Sequence, residues 1–151
     1  MRKVIILRGP SGAGKSTYIK EALPQDVIVV SADHFFMKKD EEGNDFYDFN
    51  PSLLGQAHNA CLLSFIQALD FEIECVVVDN THIHKWEYQH YKAIAELAGY
   101  EVEIVEFIPK SVEDIKTCIS RNTHRVPADI VTRMCIEFEP DEDTQFKLDI
   151  K

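Results

Sequence analysis

Nine residues near the N-terminus carry the strongest chemical signal in the chain. Gly9-Pro10-Ser11-Gly12-Ala13-Gly14-Lys15-Ser16-Thr17 satisfies the pattern G-x-x-x-x-G-K-[ST] at every fixed position. Such a loop holds phosphate with backbone N–H groups at the start of a helix. Its glycines supply backbone angles and close approach that a Cβ would obstruct. Lys15 is then placed to reach the β- and γ-phosphates of a nucleoside triphosphate, and the Ser16 hydroxyl to ligate Mg²⁺. The expected cofactors are therefore ATP and Mg²⁺. No N-K-x-D guanine-reading motif occurs in the chain, although the residues do not by themselves separate ATP from GTP.

Further candidates follow in chain order. Asp33 stands just past a second apolar run, where a carboxylate can accept the proton of an attacking hydroxyl. The competing reading is an aspartate that shapes a turn. Asp79 closes the run Val76-Val77-Val78. It can hold a water of the Mg²⁺ shell, or simply orient the loop after it. Asn80 and Thr81 can bond a substrate or fix Asp33. Arg121 and Arg125, four apart at a helix end, can close over transferring phosphate as lid arginines. Otherwise they form a solvated basic face. Asn122, His124 and Pro127 give that segment, 121–127, a shaped character. Phe35, Phe36, Phe46, Tyr47 and Phe49 flank an acidic loop, where they either line an acceptor pocket or pin the loop to the core. His82 and His84 alternate as a metal pair can, but with no third ligand they read as surface residues.

These residues need a frame that gathers them. Strands are expected at about 3–8, 26–31, 73–79 and 101–108, with a short edge strand at 146–150. Helices are expected from Gly14 to near Leu23, from Asn50-Pro51 to about Asp70, over 84–98, from Ser111 to about Ser120, and over 128–138. Leu53, Leu54, Ala57, Cys61, Phe65 and Leu69 mark the buried face of the second helix, and Trp86, Tyr91, Ile94 and Leu97 that of the third. The stretch 37–50 reads as a surface loop, 139–143 as a solvated acidic turn and 139–151 as an acidic tail. The alternation in Glu101–Ile108 predicts a strand with one exposed face, towards an edge. Strands alternating with helices imply a three-layer α/β domain spanning 1–151, with a mostly parallel sheet of four or five strands and helices on both faces. Ligands in such sheets bind beyond the C-terminal strand ends. The phosphate loop, Asp33 and Asp79-Asn80-Thr81 all fall on that rim.

Composition sets outer bounds. The 151 residues are 45% hydrophobic and carry a net charge of −10. That charge disfavours non-specific binding to polyanions. It is uneven: residues 110–133 hold five basic side chains against three acids, and residues 134–151 six acids against two lysines. No apolar run approaches the roughly 20 residues of a membrane helix, and the apolar start breaks at Arg8 before the glycine loop. The expectation is a chain with no signal peptide, outside the membrane, in the cytoplasm. Cys61, Cys75, Cys118 and Cys135 show no C-x-x-C spacing and read as buried thiols in a reducing compartment.

Four motifs taken together resemble the polynucleotide 5′-hydroxyl kinase family and its small stand-alone ATP-binding relatives. They are G-P-S-G-A-G-K-S-T, S-A-D-H-F, V-V-V-D-N-T-H and S-R-N-T-H-R-V-P with a following Met134. The resemblance runs from about Val4 to Met134. It implies the adenylate-kinase-like branch of P-loop proteins. It also implies a kinase that moves the γ-phosphoryl group to a hydroxyl, with Asp33 as general base, Lys15 and Ser16 serving phosphates and Mg²⁺, and Arg121 and Arg125 as lid arginines. One position departs. The family's phage branch has an arginine three residues after its catalytic aspartate, where this chain has Phe36. With the acidic balance, that sets a small hydroxylated acceptor beside a nucleic acid end. A nucleotide-binding switch and a repair accessory without catalysis stay open as other classes.

Overall fold

Val4, Ile5, Ile6 and Leu7 point alternately to opposite faces, yet all are buried. The strand that carries them, β1 (Lys3–Arg8), must therefore be covered on both sides. The computed structural model describes residues 1–122 and 125–150. In it β1 is the middle strand of a five-stranded sheet. The remaining strands of that sheet are β2 (Ile28–Val30), β5 (Cys75–Asp79), β6 (Glu101–Ile108) and β7 (Phe146–Asp149). Their order is β2-β5-β1-β6-β7, and every pairing is parallel. A separate antiparallel hairpin pairs β3 (Met37–Lys39) with β4 (Asp45–Tyr47).

The helices close both faces. On one face, α2 (Leu54–Asp70) and α3 (Gln89–Leu97) cover Val4, Ile6, Val76 and Val78 with Ala57, Cys61, Phe65 and Tyr91. On the other, α1 (Lys15–Ala22), α4 (Val112–Arg121) and α5 (Ala128–Glu137) cover Ile5, Leu7, Val77 and Val105. Local signals set the helix ends. Asn50 accepts from Ser52 N–H, and Ser111 from Asp114 N–H. Gly99, at φ +83°, ends α3 in a Schellman turn: Tyr100 N–H donates to Ala95 O, and Gly99 N–H to Glu96 O.

Several expectations need correction. Read from the sequence as 26–31, the second strand spans only Ile28–Val30; among the described residues it pairs with β5 alone and is a half-exposed edge strand. The stretch 37–50 is a hairpin: Lys38 pairs with Asp48, and Lys39 with Asp45. Strand β6 is not at the edge, because β7 covers it. Its Glu106 is fully buried against Arg8, its register partner on β1. Trp86 is 73% and Leu97 89% exposed, since Tyr88, Tyr91 and Ala95 form the packed side of that region instead. Leu54 is exposed at the first turn of α2. Residues 139–141 are anchored rather than loose: Glu139 O accepts from Arg8 Nη2 at 2.7 Å, and Asp141 N–H donates to Glu106 Oε2 at 2.9 Å. All four cysteines are free thiols. No helix among the described residues is long and apolar enough to cross a membrane.

Candidate functional site

The glycine loop joins the C-terminal end of β1 to α1, whose N-cap is Gly14. Gly9 N–H donates to Thr81 O at 2.9 Å, which pins the loop to the segment leaving β5. Ala13 N–H donates to Pro10 O at 3.1 Å and tightens the turn. Gly12 adopts φ +81°, and a Cβ there would meet Cys118 O of α4 at 2.1 Å. The position therefore demands glycine for angle and space together. Lys15 Nζ donates to Gly9 O at 2.7 Å and to Pro10 O at 3.0 Å, so the ammonium lies across the loop it serves. Ser11 Oγ donates weakly to Met134 Sδ at 3.7 Å.

An open cleft of about 860 Å³ lies at this rim. Ser11 to Thr17 form its floor, and Asp33, Asp79, Asn80 and Thr81 one wall. Arg121 and Asn122 stand at the end of α4, and Lys147 to Asp149 of β7 add a side that sequence reading did not mark. Parallel register explains the convergence: Leu7 pairs with Asp79 and Val30 with Val78, so the segments after β1, β2 and β5 leave the sheet at one rim. Burial pulls the Lys15 pKa below its ordinary value, and the negative charges of Asp79 and Asp33 push it partly back up. Lysine and both carboxylates thus share one electrostatic site.

Asp33 is held by the sheet and by the hairpin. It sits in a 3-10 turn, Ala32–Phe36, capped by Ser31, whose Oγ accepts from Asp33 N–H at 3.2 Å. Ala32 N–H donates to Asn80 Oδ1 at 2.9 Å. His82 Nδ1 lies 2.9 Å from Leu7 O and so must carry the proton, which leaves Nε2 to accept from Asn80 Nδ2 at 3.4 Å. From the other side, Tyr47 Oη donates to Asp33 Oδ1 at 2.9 Å.

Phe36 is corrected: at 2% exposure it belongs to the core, edge-on to Phe49 and Tyr47, and presents no surface to a substrate. Arg121 lines the cleft, whereas Arg125 does not; it is exposed, with φ +55°. Thr123 and His124, inside the expected lid segment, lie outside the described residues. His82 is not a surface residue but is buried against Tyr88 and Tyr91. Tyr47 and the wall on β7 escaped the sequence reading. Tyr47 was visible only as one member of an aromatic cluster, and a wall formed by strand pairing leaves no local motif.

A family described as an AAA domain matches residues 4–144, nearly the whole chain. This chain belongs to that family. The chain is also similar to NEDD4-binding protein 2 of Homo sapiens, at 29% identity over 145 residues. The match covers 90% of this chain but only 8% of that much longer protein. Among solved structures, a gluconokinase from Sinorhizobium meliloti 1021 aligns with a TM-score of 0.59 at 17% identity, over 99% of this chain and 85% of that one. The tunicamycin resistance protein of Deinococcus radiodurans aligns at 0.57 and 13% identity, over 97% and 85%. Likeness at this distance shows the fold. The AAA-domain chain has the α/β architecture of P-loop kinases, with its phosphate loop at the C-terminal rim of a parallel sheet.

The site's donors can be tested against Mg²⁺ and a triphosphate. Gly12 and Gly14 line the cleft with no side chain of their own, so what they present to it is backbone. The hard oxygen donors Ser16 and Asp79 line the same cleft as Lys15, as Mg²⁺ requires. The residues present fit both groups.

Proposed function

We propose that this AAA-domain chain is an ATP- and Mg²⁺-dependent kinase that transfers the γ-phosphoryl group to a hydroxyl. One observation carries the reading: Asp33, Asp79 and Lys15 line one cleft at the mouth of the phosphate loop. A binding module needs the loop and its lysine. A carboxylate fixed across the cleft is what hydroxyl activation adds. Residues Gly9 to Thr17 hold the phosphates, with Lys15 neutralising charge on the β- and γ-oxygens. Ser16 and, through water, Asp79 would hold Mg²⁺, which when bound offsets charge on the phosphates. Asp33 accepts the proton of the acceptor hydroxyl as that oxygen bonds to phosphorus and the bridging oxygen leaves with ADP. Arg121 and Arg125 close over the departing charge, with 121–127 as the lid. Asn80 and Thr81 border the acceptor side.

The four-motif set supports a polynucleotide 5′-hydroxyl as acceptor. A second reading, a small hydroxylated molecule, is favoured by charge. The net charge is −10, the segment 37–50 holds five acids against two lysines, and buried Phe36 replaces the arginine of the related pattern. The test is transfer from γ-labelled ATP to a panel of 5′-hydroxyl oligonucleotides, nucleosides and sugars. Wild type should label one class. Asp33→Asn should lose at least about a hundredfold in kcat and keep its affinity for ATP. Normal turnover by Asp33→Asn removes Asp33 from the base role, and a wild type that labels nothing sinks the kinase reading.

A further inference from the structure

Tyr47 lies outside the motifs that mark the site, yet its hydroxyl reaches the candidate base. Oη donates to Asp33 Oδ1 at 2.9 Å, from 14 residues further along the chain. The ring behind that hydroxyl is fixed. Hairpin register sets Tyr47 opposite Met37. The ring stacks on Phe49, centroids 6.2 Å apart and planes 3° apart, and meets Phe36 at 6.0 Å. Phe36 is itself part of the buried core. The hydroxyl is therefore referenced to the core through packed rings. Burial and the neighbouring Asp33 carboxylate raise the Tyr47 pKa, so the phenol remains a donor at neutral pH.

The backbone of Asp33 is set by Ser31 and, through Ala32, by Asn80. Those bonds place its Cα but do not fix the side-chain torsions, which respond to contacts at the carboxylate itself. We propose that Tyr47 is a positioning residue for phosphoryl transfer: its hydroxyl sets the plane of the Asp33 carboxylate towards the acceptor and ties that plane to the β3–β4 hairpin. This rests on the kinase reading of Asp33. Tyr47 exchanges no proton in the reaction. The proton leaving the acceptor goes to Asp33, and Tyr47 only orients the oxygen pair that receives it. The bond is one neutral donor to a charged acceptor, so its removal is worth about tenfold in rate.

The experiment compares the wild-type chain with Tyr47→Phe, which keeps the ring and its packing. With the acceptor found in the transfer panel, Tyr47→Phe should lower kcat about tenfold while KM for ATP holds and the chain stays folded at the assay temperature. In an Asp33→Asn background the same change should have no further effect on kcat, because the proposed positioning runs through the Asp33 carboxylate. Unchanged kcat in the single variant, or a full effect in the double variant, overturns the proposal. So does a Tyr47→Phe chain that fails to fold, since that assigns Tyr47 to stability. A crystal structure of the Tyr47→Phe chain supplies a reading independent of turnover: the Asp33 carboxylate should leave its wild-type rotamer, and an unmoved carboxylate refutes the idea. If wild type phosphorylates no acceptor, the kinase reading falls, and the crystal structure still decides whether Tyr47 holds Asp33.

Discussion

At neutral pH the imidazole of His82 is uncharged and acts as a two-ended spacer. One nitrogen donates to Leu7 O at the end of β1, and the other accepts from Asn80 beyond β5. Burial pulls its pKa from 6.5 down to about 3, and the positive charges of Arg8 and Lys15 add to that direction. A histidine depressed in the folded state binds fewer protons than it does unfolded between those two values. Stability from this group is therefore complete above pH 6.5 and is lost as pH falls towards 3. The loss should reach a few kcal/mol, because each tenfold difference in proton affinity between the two states is worth about 1.4 kcal/mol. Urea unfolding at pH 7.0, 5.5 and 4.5 should show it, and His82→Asn should flatten the slope relative to wild type. A slope unchanged by the substitution would assign acid sensitivity to the carboxylates instead. Little of this was legible in the sequence. The spacing of His82 and His84 says nothing of direction, and only the fold, with φ +46° at residue 82, turns that ring inwards. Glycine loop residues were legible because their chemistry is local: angle, space and one lysine.

Among elements, those whose signals are local came out within a residue or two. Strand β1, helix α1 and the capped starts of α4 and the α2 region follow from apolar runs, glycine and side-chain caps. What depends on a distant neighbour did not. Strand β6 alternates like a half-exposed strand, yet β7 pairs with its edge and the segment at 139–141 lies over Glu106, which then needs a partner inside. Arg8 supplies one. Its guanidinium is fully buried, donates to Glu106 and to His82 O, Ile83 O and Glu139 O, and lies over the Tyr88 and Phe138 rings. Breaking such a pair leaves an uncompensated interior charge. Arg8→Met should cost about 3–5 kcal/mol in denaturant unfolding, and Arg8→Met with Glu106→Leu should recover most of it. If the double variant is as unstable as the single one, the loss comes from the carbonyls that Arg8 also serves rather than from Glu106. The hairpin escaped sequence reading for a different reason. Its strands are three residues each and charged, so no period emerges, and its order comes from backbone pairing and from the Phe36 anchor, to whose carbonyl Asp48 N–H donates.

For the molecule as a whole, the acidic balance and the phosphate loop make opposite demands. A net charge of −10 repels a polyphosphate at a distance, while Lys15, Arg121 and backbone N–H groups attract it at the rim. Nucleotide affinity should therefore depend more on Lys15 than on ionic strength. MgATP at a hundred times its Kd should stabilise the fold by about 2.7 kcal/mol. Calorimetry should record that as a rise in Tm of roughly 5–10 °C. Lys15→Ala should lose most of the rise at the same concentration. An equal rise in that variant would place the nucleotide elsewhere. The parallel sheet and the convergence at the rim were legible from alternation of strands and helices, but the β7 wall of the cleft was not. It exists only because the last strand returns to pair with β6.

The guanidinium of Arg8 also sets a schedule. Its bond to Glu139 O joins residues 131 positions apart. A ribosome adding about 5–20 residues per second makes the phosphate loop roughly ten seconds before the segment that locks the strand beneath it. Until then Arg8 lacks the Glu139 carbonyl and stays hydrated, so the packing around the end of β1 is not closed. Non-local closure of this kind slows folding. The nascent chain should thus be competent for nucleotide only after residues 139–149 have emerged, so the phosphate loop is made well before the segments that complete its surroundings.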